Sequence, residues 1–184
     1  MKLRQLLEMP ERIAQQELNF PWKAIDTTKT LFQSELWGSF PGMVLKGHPA
    51  KKGAGSQTAI VVYSEGKVIA GMIANLTTGR IAAVEVSGLL VAKSNRGSGI
   101  ALSIYLTLAF NLGATVVSDD VQTPGGAAIW KKIAGMYPTK VGVTDGEVDE
   151  AIPLNDWTQD DPFTNHFTRF VLSKQDIQKQ KQVA

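Results

Sequence analysis

The chain has no cysteine. This excludes disulfides, thiolate nucleophiles and cysteine zinc ligands at once, and it fits a reducing compartment. Histidine is almost as scarce, with His48 and His166 standing far apart. No spacing suggests a metal site, and Gly-x-Ser-x-Gly, the turn of a serine hydrolase, is missing. No metal is therefore expected. Long apolar runs are missing too: nothing approaches the roughly 18 to 20 residues of a membrane span. Met1 to Gln16 is a charged helical pattern without the apolar centre of a signal peptide. A net charge of +2 is too small for a general nucleic-acid binder. These absences predict a cytoplasmic protein that engages neither membrane nor nucleic acid.

What remains is ordinary globular material. Of 184 residues, 43% are hydrophobic and 20% charged, enough for one sizeable core, with little room for a second domain. The reading is a single domain over 1–173. It has N-terminal helices and a loop over 1–56, a core over 57–143, and a polar tail over 174–184. Leu3, Leu6, Leu7 and Ile13 recur at helical spacing, and Pro10 opens a second helical segment. A short helix is predicted over Thr30 to Leu36. Lys46 to Ser56 holds Gly, Pro, Lys and Ala without periodicity and reads as a loop.

From Thr58 the pattern changes. Thr58 to Tyr63 is a β-branched run, Ser64-Glu65-Gly66 a turn, Val68 to Ala74 a second strand, and Ile81 to Val91 a long third one. Short turns between them predict an antiparallel meander. A Gly-containing loop, Lys93 to Gly99, leads into a helix over Ile100 to Leu112 that Gly113 stops. A strand over Thr115 to Ser118, a helix over Gly125 to Ala134 and a strand over Lys140 to Val143 follow. His166 to Leu172 alternates Phe167, Arg169 and Val171 against Thr168, Phe170 and Leu172, a closing strand. The fold class is α/β: a mixed sheet with helices on both faces, in which one strand-helix-strand crossover follows the meander.

The chemistry sits where the third strand ends. Leu89-Leu90-Val91 is followed by small and polar residues, and a helix opens at Gly99-Ile100-Ala101. The first amides of a helix lack intrahelical partners, and its dipole favours negative charge there. Gly97 and Gly99 let the backbone approach a ligand closely, and Arg96 adds a positive charge. The turn is suited to a phosphate or pyrophosphate.

Arg96-x-x-Gly99-x-Ala101 resembles the (Gln/Arg)-x-x-Gly-x-(Gly/Ala) signature of GNAT acetyltransferases. The order of strand, loop, helix and strand around it resembles that family over about Thr58 to Tyr137. Small acetyltransferase-like proteins carried by bacteriophages are similar in kind. The resemblance implies acetyl-CoA, its pyrophosphate held by backbone amides of Arg96, Gly97, Ser98, Gly99, Ile100 and Ala101, and its pantetheine arm beside Leu89, Leu90 and Val91. It implies direct transfer of an acetyl group to an amine acceptor, a small molecule or a protein. A degenerate relative that binds coenzyme A or a protein partner without catalysis is the alternative. Oligomeric state is open, a homodimer included.

Further residues follow from the same resemblance. Glu85 lies in an apolar strand, where a carboxylate needs a reason. It matches the general base of the histone-acetylating branch, against the plainer reading of a solvent-facing carboxylate. Trp130, in Ala127-Ala128-Ile129-Trp130-Lys131-Lys132, falls where the family places the tyrosine that protonates the leaving thiolate. Indole is no practical acid, so Trp130 reads as packing against the pantetheine arm or the core, and Tyr137 becomes the substitute acid. Ser118, Asp119 and Asp120 close a strand near where an acceptor should enter, or form a solvated strand end. Asp145 to Asn165 carries seven acidic residues and no Lys or Arg. It suits a cationic acceptor or is a solvated loop. A dinucleotide fold is the rival for the loop itself, since Asp119 and Asp120 lie about 20 residues beyond Gly97-x-Gly99. Leu102 stands where that fingerprint needs its third glycine, and Ala92 to Arg96 is too long for its turn.

Overall fold

The computed structural model describes residues 21–53, 57–77, 83–119, 123–146, 150–158, 161–163 and 168–178. The helices expected over Met1 to Gln16 lie outside them, as do Asp120, His166 and the last six residues of the tail. The chain divides into two compact units. One comprises 1–76 with 87–107, the other 77–86 with 108–184.

The first unit contains the meander. Strands β1 (Phe32–Glu35), β2 (Met43–Pro49), β3 (Gln57–Ser64), β4 (Lys67–Thr77) and the second half of β5 (Ala83–Val91) are neighbours in chain order. β1, β2, β3 and β4 pair antiparallel in turn. The β3–β4 turn closes through Glu65 at φ 50 and Gly66 at φ 75, the two positive angles that a tight two-residue hairpin of matching twist requires. Ile60, Val61 and Val62 are fully buried. This β-branched run pairs with β2 on one side and β4 on the other, so burial on both faces of the pleat explains its unbroken hydrophobicity.

Two expectations change here. Thr30 to Leu36 is not a helix: Phe32–Glu35 is a strand with alternating burial. The expected loop Lys46 to Ser56 begins inside β2, which runs to Pro49. One contact explains both. Phe32 pairs with Gly47, and a Cβ on Gly47 would collide with the Phe32 ring. Gly47 read as a loop signal, whereas it is the flat seat for an aromatic ring across the strand pair. Four residues are too few to tell a strand's alternation from one helical turn.

The unit ends in helix α1 (Ile100–Leu106), which continues as a π-turn over Thr107–Asn111. The Thr107 hydroxyl donates to the Ser103 carbonyl at 2.7 Å and accepts the Trp37 amide at 2.8 Å. The β1–β2 connection is thereby tied to α1.

The second unit holds the first half of β5 with β6 (Thr115–Val117), β9 (Arg169–Leu172), β7 (Val141–Thr144) and β8 (Ile152–Pro153), neighbours in that order. β5 and β6 are parallel, with Ala83 opposite Thr115 and Glu85 opposite Val117. This is the expected crossover. The β6–β9, β9–β7 and β7–β8 pairs are antiparallel. Helix α2 (Pro124–Met136) opens on Thr123, whose side chain accepts the Gly126 amide, with Pro124 in the first turn. It buries Trp130 and Ile133. Trp130 stacks on Phe170 at 5.4 Å between centroids, and Phe163 stacks on Phe170 at 4.7 Å. The described residues are therefore mixed α/β, with mostly antiparallel strands.

Candidate functional site

The glycine loop is built by the first unit alone. β5 ends at Val91, and the Ala92 amide donates to the Ile69 carbonyl of β4 at 2.9 Å. A single 3-10 turn, Lys93–Asn95, follows. Gly97 takes φ 79 and Gly99 φ 89, left-handed angles that a side chain disfavours. Gly99 caps α1 without any side-chain hydrogen bond. Ser98 turns its hydroxyl back to the Asn95 carbonyl at 2.6 Å, so it does not cap the helix. Among the described residues, the amides of Gly97, Ser98, Gly99, Ile100 and Ala101 donate to no backbone carbonyl; the first amide in use is that of Ser103, to Gly99. Five consecutive donors, two left-handed glycines and a helix start form an anion-binding nest. Arg96 donates through Nε to the Val91 carbonyl at 3.2 Å, which anchors the guanidinium beside the strand end; its Nη groups have no partner among the described residues.

Among the described residues, the strand leading into this loop has one edge without a partner strand. β6 pairs with β5 only at Ala83, Val84 and Glu85. From Ser87 to Val91, β4 is the sole neighbour of β5 among the described strands. Ser87 and Gly88 are exposed, and Leu90 is 41% exposed. An interior strand that loses a partner midway leaves backbone donors and acceptors for an extended ligand to use. Leu89, Leu90 and Val91 lie on this stretch, five residues short of Arg96.

The remaining candidates belong to the second unit. Glu85 is half-buried and ion-paired: Arg169 Nη1 donates to its Oε1 at 2.8 Å, and Arg169 Nη2 donates to the Gly146 carbonyl at 2.6 Å. Oε2 of Glu85 has no partner among the described residues. Burial in an apolar strand needed a reason, and Arg169 supplies it. Ser118 is buried; its hydroxyl donates to the Asp119 carbonyl at 3.0 Å and accepts the Phe170 amide at 2.8 Å. The hydroxyl thus splices the end of β6 to β9. Asp119 is exposed. Tyr137 ends α2 and meets the Phe110 ring edge-on at 4.9 Å. Trp130 is fully buried, the core position that was one of its two expected places. His48 is buried, with Nδ1 at 2.7 Å from the Lys29 carbonyl and Nε2 at 3.1 Å from the Tyr63 hydroxyl; it fastens the approach to β1 onto β2 and β3. No group of His, Asp or Glu among the described residues is arranged to hold a metal ion, and no described helix is long and apolar enough to cross a membrane.

Sequence reasoning did not pick out Arg169 or the free edge of β5. The first had a signal: an arginine on an alternating apolar strand, and a glutamate on another, call for one another when both are half-buried. The second had none, because the edge depends on where β6 stops.

No family model matches the sequence, and no curated protein matches it. Among solved structures, a protein from Bacteroides thetaiotaomicron described as an acetyltransferase of the GNAT family is similar, with a TM-score of 0.39 and 13% identity. The match covers 66% of this chain and 64% of that one, so this chain spans less than two thirds of its length. At that score the similarity is distant.

Proposed function

We propose that this chain is an acyl-CoA-dependent N-acyltransferase of GNAT type. The observation that carries the reading is the continuity of a free strand edge, Ser87–Val91, with a loop that presents five unengaged amides at the start of α1. A ligand with an extended amide-bearing arm and a pyrophosphate needs those two features in that order. Arg96, Gly97, Ser98, Gly99, Ile100 and Ala101 would hold the pyrophosphate, and Leu89, Leu90 and Val91 the arm. Acetyl-CoA, when bound, supplies an acyl group activated as a thioester.

The rest is work for this chain's residues. A backbone amide on the free stretch of β5 would donate to the oxyanion of the tetrahedral intermediate. Glu85 is the proposed general base, taking a proton from the acceptor amine on Oε2, which no described residue engages, directly or through water. Tyr137 is the proposed acid for the leaving thiolate, and water or the Ser118 to Asp120 cluster is the alternative to Glu85 as base. The acceptor is an amine, on a small molecule or a protein.

A second reading has specific support. Glu85 is already engaged by Arg169, the Ser118 hydroxyl is occupied on both sides, and Tyr137 packs on Phe110. A chain that binds coenzyme A without turnover would look this way. Mass spectrometry after incubation with acetyl-CoA and a panel of primary amines separates the two. Acetylated product supports the enzyme, binding without product or thiol release supports the binder, and no binding at all removes both.

A further inference from the structure

The Glu85 carboxylate is gripped by one oxygen only, and the grip is braced. β5 and β9 each neighbour β6, so they stand two strand spacings apart, about 10 Å. Glu85 pairs across to Val117, and Val117 to Val171, which sets these three side chains on one face of the sheet. Arg169 lies two residues before Val171 and shares that face. β6 ends at Val117, so the long arms of Arg169 and Glu85 meet past its end. The guanidinium fork is then divided: Nη1 donates to Glu85 Oε1 at 2.8 Å, and Nη2 to the Gly146 carbonyl at 2.6 Å. A paired arginine and carboxylate more often join both nitrogens to both oxygens. The second acceptor is itself fixed. Thr144 stands opposite Arg169 in the β7–β9 register, and its hydroxyl accepts the Gly146 amide at 3.0 Å. An ion pair that serves stability alone gains most from both oxygens. Holding Oε1 and leaving Oε2 without a partner among the described residues is what a base of fixed aim requires.

From this we infer that Arg169 is a positioning residue: it holds the Glu85 carboxylate by Oε1 so that Oε2 is the atom that takes the acceptor's proton. The inference rests on the acyltransferase reading above. In the step it serves only a proton moves. One N–H bond of the acceptor ammonium breaks, an O–H bond forms at Oε2, and the amine keeps the electron pair with which it attacks the thioester. Arg169 gives up no proton, since a guanidinium stays charged throughout. Its contribution is orientation, because a carboxylate confined to one arrangement spends less of its time misaligned.

A double-mutant cycle in the full chain tests this, with thiol release from acetyl-CoA and a primary amine as the rate and denaturant unfolding as the folding control. Arg169→Gln should lower kcat by about tenfold or more, within the 10² that a misplaced group can cost, with KM for acetyl-CoA nearly unchanged. In a Glu85→Gln background the same substitution should cost no further rate, because Arg169 acts through Glu85. Arg169→Lys keeps the charge without the two-pronged grip and should fall short of the parental rate. It also carries the cycle if Arg169→Gln does not fold. A merely structural staple gives equal losses in both backgrounds, and that result overturns the inference. So does the parental rate in either Arg169 variant, or a faster one, which would mean that the guanidinium masks Glu85. Each of these failures leaves the acyltransferase reading standing. If the parent releases thiol with none of a panel of primary amines, that reading falls, and this inference with it.

Discussion

At Gly99 the chain turns through φ 89 immediately before α1, and among the described residues only the Phe40 ring lies within 4 Å of where a Cβ would be. Space is therefore not the constraint; conformation and charge are. Gly99→Ala adds strain of about 1 kcal/mol at a left-handed residue and should weaken coenzyme A binding only modestly. Gly99→Asp adds the same strain plus a carboxylate facing the anion nest, and should abolish binding. Calorimetry on both variants, with thermal unfolding as the folding control, reads the difference. If the aspartate variant binds like the alanine one, the pyrophosphate lies elsewhere. At Glu85 the expectation is kinetic. Glu85→Gln keeps the shape and a donor-acceptor group for Arg169 and removes basicity. Turnover should fall by about 10² or more, the scale of general-base loss, with coenzyme A affinity nearly unchanged. Thiol release with a working acceptor measures it, and parental turnover would move the base to water or to the Ser118 region. The Glu85–Arg169 pairing shows how far residue types alone can be read. Both charges stood out on apolar strands, but register decides partnership: β6 ends at Val117, and Arg169, two residues before Val171 on β9, reaches past that end.

β7 illustrates how an element is fixed by what has no side chain. A Cβ on Gly142 would meet the Ile152 carbonyl at 2.7 Å and Ile177 Cδ1 at 2.8 Å. Because one of these is backbone in the paired strand β8, little can give. Gly142→Ala should destabilise the fold by about 1 to 3 kcal/mol, measured by denaturant unfolding. The segment after β9 closes over the same place: Ile177 donates its amide to the Thr139 carbonyl, and Asp176 Oδ1 accepts from Thr139 Oγ1 and Lys140 Nζ, each at 2.7 Å. Hydrogen bonds from Lys140 and then Thr139 hold the Asp176 carboxyl below its usual range. A lowered folded-state pKa contributes stability above the unfolded value, about 3.9, and loses it as pH falls through the folded value. The melting difference between the parent and Asp176→Asn should therefore persist at neutral pH and shrink only below about pH 4. A difference that vanishes already near pH 6 would contradict the clasp. Elements differ in how legible they were. The Ile60–Val62 run and its Glu65-Gly66 turn announce a hairpin in the residues themselves. β1 does not, because its identity is set by Gly47 on another strand.

Over the whole molecule, the local order of strand, loop and helix from Thr58 to Ala134 was readable, since each piece carries its own turn and cap residues. The order β6-β9-β7-β8 was not. It places the last strand between two earlier ones, and no periodicity in Arg169–Leu172 records its neighbours. The candidate site follows the same division: the loop could be read from Arg96, Gly97 and Gly99, while the edge of β5 beside it depends on a partner strand three residues long. The account's central claim is that this edge and loop together take an acyl-CoA. The most direct measurement is the melting temperature with millimolar acetyl-CoA or NAD. A ligand that binds only the folded chain raises it by mass action, by about 2.7 kcal/mol of stability at a hundred times its dissociation constant. A rise with acetyl-CoA and none with NAD is the expected result. A rise with NAD and none with acetyl-CoA would contradict the account and return the loop to the dinucleotide reading.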